Sequence, residues 1–194
     1  MRKIVSFVHM SLDGFVASTA VGQHSLGWIS ITEDLFRHVE QRIQQTDTAI
    51  YGRVTYQMME AYWPTAAEKP DASAHDQAHS RWYKSARKIV LSKTLSEQDH
   101  ANTQIISGNL NDQIGKLKQS QGSEILVFGS PSATHALIAE NLIDEYWLFI
   151  NPILLGQGIP LFKNIQDRTA LKLVNSKTFP SGVVCLQYEV KRDQ

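Results

Sequence analysis

Thr48-Ala49-Ile50-Tyr51-Gly52-Arg53-Val54-Thr55-Tyr56 is the stretch that decides the fold. Its first four residues are mostly apolar and stop at a glycine, as a buried strand does when it meets a turn. Helical spacing follows from Val54 to Tyr62. A strand therefore passes into a helix through Gly52. The same grammar recurs on both sides. Ile4 to Met10 runs into Asp13-Gly14, Lys88 to Leu91 into Ser92, Ile125 to Phe128 into Gly129, and Glu145 to Ile150 into Asn151-Pro152. Between the strands lie further helical patterns. One is capped by Thr32 and runs to about Gln45, with Leu35, Phe36, Val39 and Ile43 on one face. Another spans His75 to Ser85. A third, holding Ile114 and Leu117, is capped by Asn109 or Asn111. A fourth opens at Pro131, a residue the first helical turn tolerates, and carries Ala133, Leu137 and Ile138. Leu171 to Thr178 and Val183 to Val190 flank Pro180-Ser181-Gly182 and read as a hairpin.

This alternation predicts an α/β sheet, parallel in the middle and antiparallel at one edge, within a single domain over residues 1–194. The polar stretch from Pro64 to His79 reads as a mobile surface segment. Composition narrows the function classes. Apolar residues make up 42% of the chain, enough for a core. Nineteen basic and nineteen acidic side chains leave a formal charge of zero, which disfavours a general nucleic-acid binder. One cysteine, Cys185, excludes an intrachain disulfide framework. No apolar run approaches a membrane span, and a cytoplasmic globular protein is expected.

Ligands of open α/β sheets collect at the carboxyl ends of the parallel strands. Four turns lie there: Asp13-Gly14, Gly52-Arg53-Val54-Thr55, Ser92-Lys93-Thr94 and Gly129-Ser130-Pro131-Ser132. Two of them set a glycine and hydroxyl residues before a helix, where free N–H groups suit a pyrophosphate. Strand-to-helix turns also favour Gly and Ser for local reasons, so it is the repetition that points to a ligand. Arg53 and Lys93 would suit an adenosine 2′-phosphate, hence NADPH over NADH, or are simply solvated cations.

Taken together these motifs resemble a known family. Gly52-Arg53-Val54-Thr55 looks like the Gly-Arg-x-Thr motif of dihydrofolate reductase. The wider match is to the reductase domain of the bifunctional riboflavin-pathway deaminase-reductases and to their stand-alone relatives. It runs through Ser11-Leu12-Asp13-Gly14, Leu91-Ser92-Lys93-Thr94-Leu95, Val127-Phe128-Gly129-Ser130-Pro131-Ser132 and Leu142-Ile143-Asp144-Glu145. It closes with Pro152-Ile153-Leu154-Leu155-Gly156-Gln157-Gly158 and Leu161-Phe162, so it covers nearly the whole chain in order. The resemblance implies a three-layer, dihydrofolate reductase-like mixed sheet of about eight strands, NADPH as cofactor, and a homodimer. By position, Gly52, Arg53 and Thr55 would bind cofactor phosphate and ribose, and Ser92 and Lys93 would lie near the 2′-phosphate. Gly129, Ser130 and Ser132 would line the pyrophosphate and nicotinamide side. Ser130 stands where many relatives carry a second glycine, and its Cβ narrows that space. The deaminase half's His/Cys zinc signature is absent from this sequence.

The resemblance implies reduction of a pyrimidine- or pterin-like substrate, closest to 5-amino-6-(5-phosphoribosylamino)uracil. Dihydrofolate reduction, or a non-catalytic nucleotide-binding dimer, is the alternative. Two acids are candidates for gripping substrate. Asp34 lies early in the first helix, where dihydrofolate reductase carries its pterin-gripping acid; an acid there also suits the helix dipole. Asp13 ends the first strand in the riboflavin-pathway motif; an Asp before Gly14 is also an ordinary turn former. Trp28, Tyr56 and Trp63 could stack on a heteroaromatic ring or pack in the core. His9 reads as structural. His75 and His79 sit four apart in the polar segment and read as an incidental surface pair, so no metal is expected. The apolar residues of the tail hairpin, including Leu171, Leu173 and Val174, suggest an edge covered by a twofold-related copy.

Overall fold

The computed structural model describes residues 1–18, 26–95, 102–165 and 167–192. In chain order its elements are β1 (Ile4–Ser11), β2 (Phe15–Ala17), α1 (Glu33–Ile43), β3 (Thr48–Gly52), α2 (Arg53–Glu60), α3 (Trp63–Ala66) and α4 (Ala74–Ser85). Then come β4 (Arg87–Leu91), β5 (Thr103–Ile106), α5 (Leu110–Gln119), β6 (Ile125–Phe128), α6 (Pro131–Ala139), β7 (Glu145–Asn151), β8 (Ile159–Pro160), β9 (Leu171–Thr178) and β10 (Val184–Val190). Eight strands form one sheet in the order β5-β4-β3-β6-β1-β7-β10-β9. The pairs from β5 to β7 are parallel. β7-β10 and β10-β9 are antiparallel. The expected parallel middle and antiparallel edge are both present.

Alternating side chains divide each central strand between two cores. On β6, Leu126 and Phe128 join Leu35, Val39 and Ile43 of α1 and Trp82 and Tyr83 of α4 on one face. Ile125 and Val127 join Ile114 and Leu117 of α5 and Ala133 and Leu137 of α6 on the other. The result is three layers, α1–α4 and α5–α6 enclosing the sheet.

The amino ends of the strands are tied by ions. Arg42, at the end of α1, donates to Glu124 at 2.6 and 2.8 Å and to Glu145 at 2.6 Å. Lys118 reaches Asp144 at 2.7 Å, and Asp144 also accepts from the Ile4 amide at 2.8 Å. Arg2 pairs with Asp47 and donates to Thr48 Oγ1 at 2.8 Å and the Ser123 carbonyl at 2.6 Å.

Several details differ from the sequence reading. β2, β5 and β8 were not expected, and each has only two to four residues. α1 ends at Ile43 rather than near Gln45, and α2 begins one residue early, at Arg53. The Pro64–His79 segment lies mostly at the surface, as expected, but its two ends are helical. It supplies most of α3 and the start of α4, which a capping box between Ser73 and Asp76 initiates. His79 and Ser80 are buried.

His9 of β1 stacks on Phe149 at 4.9 Å between ring centroids, and its Nδ1 has no hydrogen-bond partner. Burial pushes its pKa down to about 4. Between pH 6.5 and 4 the unfolded chain therefore takes up a proton that the fold excludes, and stability falls as pH falls through that window. The loss from this group should approach about 3 kcal/mol. Urea unfolding of wild type and His9→Phe at pH 7 and pH 4.5 should show a smaller pH loss in the variant; equal losses would refute the assignment.

Candidate active site

The row of strand ends is set by topology. β3 lies between β4 and β6, and Gly52 sits opposite Leu91 of β4. The turns after β4, β3 and β6 are therefore neighbours, and they carry Ser92-Lys93, Gly52 to Thr55, and Gly129 to Ser132. The chain leaves β3 through α2 toward the α1–α4 face and leaves β6 through α6 toward the opposite face. Where adjacent parallel strands send their helices to opposite faces, a crevice opens between the two turns. By that rule the candidate crevice lies between the turns of Gly52 and Gly129.

Close packing holds it in shape. The Gly52 N–H donates to Ser130 Oγ at 2.8 Å. A Cβ on Gly52 would overlap Ser132 Oγ and come within 2.7 Å of Ser130 Oγ. Only glycine fits there. Ser130 is fully buried. Its hydroxyl braces the neighbouring turn. Gly129 is exposed, with a φ of +51° in the left-handed region and open space where a Cβ would stand.

The two helix starts share an electrostatic property. Neither α2 nor α6 has a side-chain cap or an acid in its first turn. By contrast α1, α4 and α5 carry Glu33 and Asp34, Asp76, and Asp112 in theirs. The partial positive charge of two helix ends is left uncompensated at one crevice. Thr55 lies in the first turn of α2, half-buried, and Ser132 is exposed in the first turn of α6.

Arg53 and Lys93 are both exposed at adjacent strand ends. Arg53 donates to Gln57 Oε1 at 3.2 Å. Ser92 uses its hydroxyl locally, accepting from the Thr94 and Leu95 amides at 3.2 and 2.9 Å. It shapes the turn that presents Lys93.

The two acids occupy different surroundings. Asp13 is a clamp. It accepts from Ser11 Oγ at 2.6 Å, from the Leu155 amide at 3.1 Å and from the Gly156 amide at 2.7 Å. These bonds, Ser11 first, hold its pKa below the ordinary carboxylate range. They fasten the Pro152–Gly158 loop to the turn after β1. Asp34 lies in the first turn of α1, where Thr32 and the helix-start backbone lower its pKa and keep it ionised. Asn151 places that helix. Its Oδ1 accepts from the Ser30 amide at 2.9 Å, and its side-chain nitrogen donates to the Phe149 carbonyl at 3.1 Å. Nothing in the sequence reading singled out Asn151; its position at a strand end before Pro152 was the available signal. Of the three aromatics, Tyr56 is buried in the core and Trp63 packs on His79 at 4.1 Å. Trp28 is partly exposed in the segment leading to α1.

Two open clefts lie elsewhere. One of about 560 Å³ is lined by Arg87, Gln104, Asn109 and Lys116, and one of about 640 Å³ by Asn141, Ile165, Arg168 and Arg192. Neither includes a residue of the glycine turns.

Residues 2–185 match the model of the RibD C-terminal domain. The chain belongs to the RibD C-terminal domain family. YyaP of Bacillus subtilis strain 168, an uncharacterized protein, is 32% identical over 189 residues, covering 96% of this chain and 94% of that one. A pyrimidine reductase-like protein of Corynebacterium diphtheriae has the same fold, with a TM-score of 0.69 at 18% identity, over 99% of this chain and 93% of that one. So does the diaminohydroxyphosphoribosylaminopyrimidine deaminase/5-amino-6-(5-phosphoribosylamino)uracil reductase of Thermotoga maritima, at a TM-score of 0.66 and 13% identity. That match covers 98% of this chain and 57% of the Thermotoga protein. Within the RibD-type fold, the motif Pro152–Gly158 is thus a loop held by Asp13, and Gly129–Ser132 is one wall of the crevice.

Proposed function

We propose that the protein is an NADPH-dependent reductase of a small pyrimidine- or pterin-like substrate. The observation that carries this reading is the pair of uncapped, acid-free helix starts of α2 and α6 facing one crevice. Such a site suits a pyrophosphate, and Arg53 and Lys93 beside it suit a further phosphate. The groups present fit a dinucleotide phosphate: Gly129 leaves room for close backbone approach, and the Thr55 and Ser132 hydroxyls can donate. Bound nicotinamide would supply the hydride. The protein's part is to bind, orient and exclude water. Asp34 is ionised at neutral pH, so it would accept hydrogen bonds from ring N–H or amino groups of a heterocycle. Asp13 suits that role less, because its oxygens already hold a loop. His9 is neutral and can supply no positive charge.

NADPH should bind more tightly than NADH. Arg53→Ala should weaken NADPH by roughly tenfold to a hundredfold, about 1.5–3 kcal/mol, and leave NADH nearly unchanged. Nicotinamide fluorescence titration of both proteins checks this; equal wild-type affinities would overturn it. Asp34→Asn should reduce turnover by at least about tenfold while NADPH affinity holds. Asp13→Asn should instead lower the melting temperature. The assay is substrate-dependent loss of nicotinamide absorbance with ribosylamino-pyrimidines and dihydropterins. Tight NADPH binding with no turnover across that panel would support a nucleotide-binding dimer instead.

We also propose a homodimer. Every residue of β9 is exposed, with Leu173 at 50% and Val174 at 47%. An edge strand that exposes Leu171, Leu173 and Val174 together invites uncontrolled pairing there unless a second copy covers it. Such an interface should bury at least about 1,200 Å² in total. Light scattering should give about twice the 21.8 kDa chain mass, and a value near 21.8 kDa refutes the dimer.

A further inference from the structure

We propose that Glu40, His75 and His79 bind a zinc-type divalent metal ion that fastens α4 to α1. This site lies apart from the crevice and does not depend on the reductase reading. His75 and His79 are four residues apart on α4, so they share one face of that helix. Glu40 reaches them from α1. Asp76, between the two histidines, is engaged with Ser73 at 2.6 Å and Tyr62 at 3.0 Å and takes no part.

Glu40 Oε2 lies 3.4 Å from His75 Nδ1 and 3.5 Å from His79 Nδ1. All three donor atoms fall within 4.8 Å of one another. Hydrogen bonds between nitrogen and oxygen run at about 2.7–3.2 Å, so these separations are too long for good ones. They are the separations expected of neighbouring ligands on one ion. Bonds of about 2.0–2.2 Å at tetrahedral angles set donors about 3.3–3.5 Å apart. None of the three atoms has a hydrogen-bond partner, and neither does His79 Nε2. His79 is only 3% exposed. Leaving these polar atoms unpaired in the interior is costly, and a shared cation offsets that cost.

The surroundings fix the ligands. Gln44 donates to the other Glu40 oxygen. The His75 ring stacks on Phe36 at 3.8 Å, and Trp63 covers His79 at 4.1 Å. Outer contacts of this kind orient metal ligands. Two imidazoles and a carboxylate favour zinc, cobalt or nickel over calcium and magnesium, which prefer all-oxygen sets. Three protein ligands leave a fourth position for water.

The test uses the full chain without an affinity tag, stripped with chelator and then dialysed. Calorimetric titration with Zn²⁺ should show one ion per chain. At a hundredfold excess over Kd, Zn²⁺ should raise the melting temperature by roughly 5–10 °C. Co²⁺ should give tetrahedral visible absorption without a thiolate charge-transfer band. Glu40→Gln preserves the shape of the helix face, and His75→Ala removes a ring whose side chain is 18% exposed; circular dichroism confirms that each folds. Both should weaken Zn²⁺ by at least about tenfold and abolish the thermal shift. The proposal is overturned if wild type takes up no stoichiometric Zn²⁺, if both variants bind as tightly as wild type, or if a thiolate band places the ion at Cys185.

Discussion

Everything at the functional edge depends on where β6 is inserted. Its four residues are buried, paired to β1 on one side and to β3 on the other. Both faces of the strand are apolar because both are covered, one by α1 and α4 and the other by α5 and α6. β6 enters between two strands whose connecting helix, α1, lies on the first face, and its own helix must go to the second. The divergence of α2 and α6 follows, and with it the crevice. A four-residue strand thus determines where a ligand can sit. The close fit of Gly52 against Ser130 and Ser132 adds the detail that keeps the two turns in register.

The sheet has two ends of different character. At the amino ends of the strands, Arg2, Arg42 and Lys118 make ion pairs across the chain. Breaking a buried pair on one side leaves an uncompensated charge, which resists rearrangement there. At the carboxyl ends the ties are hydrogen bonds from turns and loops, among them those of Asp13 and Asn151. The proposed binding site sits on the end built from loops, over a base fixed by charge.

Much of this was legible in the sequence. Central strands such as Ile125–Phe128 are short apolar runs that stop at glycine, and burial on two faces makes that pattern inevitable. The order of motifs from Ser11 to Phe162 was enough to recognise the family. The small strands β2, β5 and β8 were not legible, since two to four residues carry too little periodicity. Within the Pro64–His79 segment the start of α4 had a readable signal that polarity outweighs, Ser73 followed three residues later by Asp76. His75 and His79 were discounted for the same reason, although Glu40, which meets them, lies 35 residues upstream and could be joined to them only by the packing of α1 on α4. For Ser130, the sequence showed a departure from glycine but not its hydrogen bond to Gly52, which depends on the position of the neighbouring strand end. Asp13 and Asp34 looked equivalent as letters; their difference lies in the amides of Leu155 and Gly156, which the loop brings back from far along the chain.

The helix starts have a kinetic consequence. The chain carries a formal charge of zero, so no broad field draws an anion from a distance. Attraction is confined to the two acid-free helix ends and the nearby cations, and salt screens it beyond about 8 Å at physiological ionic strength. An anionic ligand bound there as proposed would be drawn only at short range and held mainly on contact. Its association rate should vary little with salt, while its residence time carries most of the electrostatic preference. For a nucleotide bound as proposed, selectivity would then be a matter of how slowly the right one leaves.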